Sequence, residues 1–132
     1  MARRYVLDTH ACIFALSAPR KLGRRARTAL EQVEAGRAEA WIRAAAVAEL
    51  LLLRELGRTE VGWAEIRVTF ETTPQLRYLA LDLEQLDEFV ALASIRDPFD
   101  RLFVSAARSL GAALVTRDQA LSESGLVSVV WS

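Results

Sequence analysis

The sequence predicts an α/β protein with a mainly parallel central sheet and helices on both faces, a three-layer α/β/α arrangement. Short runs such as ALVT at 113–116 and VSVVW at 127–131 are continuously apolar, as expected of strands covered on both sides. They alternate with helix-length amphipathic stretches, the pattern of βαβ units. The chain has 132 residues, 52% hydrophobic and 26% charged. That supports one core and not two, so a single domain over the whole chain is expected.

Taken in order, residues 4–7 form an apolar run ending at Asp8, and Thr9 to Leu16 continue as a helix. Leu22, Ala26, Ala29, Leu30 and Val33 recur at helical spacing, with Gly36 as a stop. Ala38 to Arg43 is a strand candidate, and Ala45 to Leu56 is a helix apolar on several faces, which predicts burial. Trp63, Ile66 and Phe70 mark a further helix that Pro74 ends. Leu76 to Leu81 reads as a strand and Leu83 to Ala93 as a helix. Asp97 followed by Pro98 is an N-cap with proline at the first helical position, which opens a helix to about Leu110 and puts Asp100 in its first turn. Gly111 stops that helix before the last two strands, at 113–116 and 127–131.

Composition removes several function classes. One Cys and one His exclude the usual zinc sites, and Cys12, in the apolar run ACIFAL, reads as a packed thiol. There is no GxSxG, GxxxxGK[ST] or GxGxxG. No stretch has the apolar length of a membrane span or a leader, so a cytoplasmic, membrane-free protein is expected. The 17 basic and 17 acidic residues cancel, yet Arg20, Lys21, Arg24, Arg25 and Arg27 fall together with no acid among them. Such a cluster suits bidentate phosphate contact, although a GC-rich coding sequence would give the same excess of arginine.

Four acids stand at the ends of otherwise apolar elements: Asp8, Glu49, one of the pair Asp97 and Asp100, and Asp118. Each has a plain structural reading: Asp8 and Asp97 as helix caps, Asp118 as the start of a turn, Glu49 as a helix residue reaching solvent. Their recurrence at one architectural level is what those separate readings leave unexplained. Converging carboxylates are how hard cations such as Mg2+ or Mn2+ are held.

The set YVLDTHACIFAL, AAAVAELLL, DPFDRLFVSAA and GAALVTRD resembles the PIN-domain family, in particular the VapC-type toxin ribonucleases of type II toxin–antitoxin pairs. The resemblance spans essentially the whole chain. It implies that Asp8, Glu49, Asp100 and Asp118 form a catalytic, metal-binding quartet, with Thr116, Asp97 and Thr9 in support. Asp100 is preferred to Asp97 because RLFVSAA follows it directly. The resemblance further implies a PIN-like fold, Mg2+-dependent cleavage of RNA with Mn2+ as a substitute, a homodimer and a cognate antitoxin, with the RNA, or that antitoxin instead, lying in one groove lined by Arg20, Lys21, Arg24, Arg25 and Arg27. Two positions depart from the family's pattern: Ala46, where relatives often have serine, and Ile95, where many have histidine.

Other classes fit less well. A phosphoacceptor receiver domain needs paired acids after the first strand and a late lysine, whereas Lys21 is the sole lysine. A haloacid-dehalogenase-type phosphatase needs DxD where His10 takes the second place. A PIN fold serving as a binding module without turnover, or as a solitary RNA-processing nuclease, remains as an alternative.

Overall fold

The computed structural model describes residues 3–132. Strand β1 (Arg3–Leu7) leads to α1 (Thr9–Ser17), a single 3-10 turn at Pro19–Lys21, α2 (Arg24–Glu34) and β2 (Ala38–Arg43). Then come α3 (Ala44–Glu55), α4 (Trp63–Thr72), β3 (Leu76–Leu79), α5 (Leu83–Ala91) and α6 (Pro98–Leu110). Strand β4 (Ala113–Val115), helix α7 (Gln119–Glu123) and β5 (Val129–Val130) complete the order.

All five strands are parallel, in the order β3-β2-β1-β4-β5. The chain winds outward from β1 through β2 to β3, then returns to lay β4 on the other side of β1. The crevice beyond the carboxyl ends of β1 and β4 is therefore the switch point, where open α/β sheets collect ligands. Buried Val6, Leu7, Leu114 and Val115 make this centre fully apolar, as strands covered on both faces must be.

Strand β2 shows the two faces directly. Ala40 and Ile42 look toward Cys12 and Leu16 of α1, Leu30 and Val33 of α2 and Thr69 of α4. Arg43 lies on the other side, its guanidinium 4.7 Å from the ring centroid of Phe103 in α6, and α5 packs on α6. Cys12 is fully buried, and burial pushes its thiol well above its ordinary range, so it is a packed and unreactive side chain.

Several boundaries differ from the sequence reading. Strand β3 stops at Leu79, because the Ala80 carbonyl accepts a hydrogen bond from the buried Gln85 side chain at 2.7 Å. Strand β5 is two residues long, while α7 has no counterpart in the reading. Helix α3 is not buried all round: Leu52 is 58% exposed and Leu56, just past its end, 67%, whereas Ala46, Val47 and Leu50 face the core. One close approach fixes the joint before α2. A Cβ on Gly23 would stand 2.2 Å from the Trp131 carbonyl oxygen, which also accepts from Ala26 N–H.

Candidate functional site

Asp8 is the first residue past β1 and caps α1, Oδ1 accepting from Ala11 N–H at 2.8 Å. Its own N–H donates to the Val115 carbonyl at 3.1 Å, so the cap is tied to β4. Asp118 caps α7 in the same manner, accepting from Leu121 N–H at 3.0 Å. Between them Thr116, buried just past β4, accepts from Asp118 N–H at 3.2 Å, and its side chain lies near enough to Asp8 to favour that acid's ionised form. One hydroxyl is thus fixed by Asp118 and stands beside Asp8.

The other acids come from helices. Glu49, in the second turn of α3, accepts from the buried Thr9 hydroxyl at 3.0 Å, which joins α3 to α1. Asp97 caps α6, accepting from Phe99 and Asp100 N–H at 2.9 and 3.1 Å. That cap occupies the exposed Asp97 and leaves Asp100, a turn further on, without a capping duty.

All five carboxylates line one cavity of about 590 Å³, together with Thr9, His10, Thr116, Arg117 and the rings of Phe99 and Phe103. Burial raises the Asp8 carboxyl above its ordinary range, while the nearby Thr116 side chain, the bond from Ala11 N–H and the positions of His10 and Arg117 oppose the rise. Asp100 is raised first by burial and then by Asp97, Asp118 and Asp8. Mutual repulsion across the cavity is therefore part of the site.

These are hard oxygen donors facing one another with too little countercharge, and that donor chemistry fits a divalent cation. Among the described residues, no three Asp, Glu, His or Cys side chains are gathered closely enough to hold one ion as they stand. Asp8, Glu49 and Asp118 each have one oxygen engaged by a hydrogen bond within the fold. Ion binding would require the carboxylates to close in.

Two features went unread in the sequence. Arg43, the last residue of β2, is 4% exposed and its Nη1 has no hydrogen-bond partner. Burial pulls its guanidinium below its ordinary value, and the nearby Glu49 carboxylate acts against that. Its charge at the end of an otherwise apolar stretch was the available signal. Arg117, beside Asp118, lies 5.5 Å from the Phe14 ring centroid, with Lys21 over the same ring at 5.7 Å.

The basic cluster expected to line one groove is divided. Lys21 reaches the rim of the acid cavity through Phe14, whose ring is 6.2 Å from that of His10. Arg24 and Arg25 line a different cavity, with Arg3 and Arg37. Arg20 and Arg27 are exposed and line neither.

No helix among the described residues is long and apolar enough to cross a membrane. No curated protein matches the chain significantly. In fold it is similar to VapBC2 from Rickettsia felis bound to a promoter DNA fragment, at 18% identity and a TM-score of 0.69, covering 98% of this chain and 99% of that one. FitAcB from Neisseria gonorrhoeae is similar at 19% identity, a TM-score of 0.64 and 95% of each chain. DNA-bound VapBC from Salmonella typhimurium follows at 16% identity, a TM-score of 0.66 and 98% and 97% coverage. The PIN domain model matches residues 5–125, and with the acids brought to the switch point of a parallel sheet, the chain belongs to the PIN-domain family.

Proposed function

We propose that this chain is a divalent-metal-dependent endoribonuclease and the toxin of a type II toxin–antitoxin pair. PIN domains are generally nucleases. The observation that carries the reading here is the convergence of Asp8, Glu49, Asp100 and Asp118, from four separate elements, on one cavity. Those four residues would hold Mg2+, or Mn2+ in its place, and the bound ion would supply an activated water and offset charge on the scissile phosphate.

The chain's own groups do the rest. Thr9 holds Glu49 in orientation, and Thr116 accepts from Asp118 N–H while favouring the ionised form of Asp8. Lys21 and Arg117, 5.7 and 5.5 Å from the Phe14 ring centroid, suit the phosphates flanking the cleaved bond. Phe99 is 55% exposed on the cavity wall and offers a face on which an unpaired base can stack.

Partnership with an antitoxin is supported by solved neighbours that are VapBC, FitAB and other toxin–antitoxin complexes. Apolar Leu83, Leu86 and Val90 on α5 are 74%, 40% and 75% exposed, a surface suited to a second copy in a homodimer or to that antitoxin. A second reading, a PIN-fold binding module without turnover, draws on the capping bonds that already engage the acids.

Cleavage of single-stranded RNA by wild type, Asp8→Asn and Asp100→Asn, with Mg2+, Mn2+ or EDTA, separates the two. The nuclease reading expects cleavage by wild type alone and only with metal. Equal cleavage by all three proteins would identify a contaminant, and no cleavage by any would favour the binding module.

A further inference from the structure

A second cavity, of about 420 Å³, is lined by Arg3, Arg24, Arg25 and Arg37 with Thr28 and Gln32, and by no carboxylate. In a chain whose acids and bases balance at 17 each, four guanidinium side chains around one hollow form a local excess of positive charge. Among the described residues none of the four is in an ion pair. Arg37 is instead oriented by a 2.8 Å bond from Nε to the Gln32 side chain, and Arg3 lies 5.7 Å from the Tyr5 ring centroid. The first turn of α2 carries Arg24 and Arg25 and no acid. These positive side chains stand at the positive end of a helix, an arrangement an anion relieves.

The location matters as much as the charge. Arg3 opens β1 and Ala38, also on the cavity wall, opens β2, whereas Asp8 follows the far end of β1. Five strand residues separate the two levels by about 16 Å at roughly 3.3 Å each. Free phosphate filling one cavity would not reach the other. An RNA backbone would, because repeated phosphates can engage guanidinium groups bidentately at one site while another nucleotide enters the acid cavity.

We propose that this arginine-lined cavity is a distal phosphate-binding site for the RNA substrate, which gives the enzyme a preference for RNA long enough to span both ends of β1. This rests on the nuclease reading, so binding and cleavage are measured separately. Binding of an RNA of about 30 nucleotides by the full chain is followed in EDTA, for wild type, for Arg24→Gln/Arg25→Gln/Arg37→Gln and for Arg37→Glu alone. The triple variant is expected to bind about tenfold more weakly, with a salt-dependence slope lower by about 2, since each lost single-strand phosphate contact removes about 0.7. Arg37→Glu, a single change at an exposed site, is expected to weaken binding in the same direction and covers the case of a misfolded triple variant.

With Mg2+, the ratio of kcat/KM for the long RNA to that for a tetranucleotide should fall in both variants. Unchanged RNA affinity and salt slope in the folded variants would overturn the proposal, as would tight binding of inorganic phosphate or polyglutamate with no RNA binding. If RNA binding depends on these arginines and wild type cleaves nothing, the distal site stands and the nuclease reading falls.

Discussion

Asp100 shows at the scale of one side chain how the site stores repulsion. Its carboxyl is raised by burial and by Asp97, Asp118 and Asp8, so the folded chain retains a proton that the unfolded chain releases. The ionised form is therefore the costly one, and the cost is present above the folded value and vanishes as pH falls toward the ordinary 3.8. Asp100→Asn should raise the melting temperature of metal-free protein at neutral pH by about 1–3 °C, a modest gain because the site is partly exposed to screening solvent. The gain should shrink as the buffer is taken into the acid range and should reverse in saturating Mg2+, both readable by thermal denaturation. Arg43 acts with the opposite sign. It places a fixed positive charge near Glu49, so Arg43→Met should tighten Mn2+ binding by about threefold or more, as the loss of a like charge near the ion requires. Titration followed by the free-Mn2+ spectroscopic signal measures this, and weaker binding would show that the guanidinium instead holds Glu49 in place. Asp8, Glu49, Asp118 and the pair Asp97 and Asp100 stood out as candidates because acids are rare in apolar runs, and all five line one cavity. Arg43 was not, since a strand-end arginine normally reaches solvent.

Among the elements, the longer helices and the apolar strands were legible, including β4 and the short β5 within the run 127–131. Helix α6 was marked by Asp97, Pro98 and Gly111, and the structure has the Asp97 cap, Pro98 at the first position and Gly111 at φ 61° as the left-handed C-cap. Helix α7 has five residues, too few for a period of 3.6 to be recognised, and β5 is shorter than the apolar run that marked it. Helix α3 was misread as buried because its surface carries Leu52, with Leu56 just past its end, and an exposed leucine looks the same in sequence as a core one. The double role open to Asp97, cap or ligand, is separable at this scale. Asp97→Ala should cost about 1 kcal/mol by fraying the first turn of α6 and should lower cleavage by displacing Asp100. Asp97→Asn caps equally well, so it should retain both stability and cleavage, measured by chemical denaturation and RNA turnover. Loss of cleavage with stability intact would make Asp97 a working part of the acid site.

For the whole molecule, strand order was the decisive fact that sequence could not supply. Alternating apolar strands and helices implied a parallel sheet, but not that β1 lies between β2 and β4. That placement is what brings residues 8 and 118 to adjoining strand ends. It also separates the arginines, which are continuous in sequence and therefore looked like one surface, because the turn at Pro19–Lys21 and the Gly23–Trp131 contact send α2 away from the acid cavity.

The central position of β1 has a further consequence during synthesis. Its two flanking partners are made far apart in time: β2 ends at Arg43, while β4 begins at Ala113. A nascent chain that already carries Asp8 therefore has no wall opposite that acid until β4 and the helices before it have been translated. The acid cavity would thus assemble only once β4 has joined β1 and brought Asp118 beside Asp8.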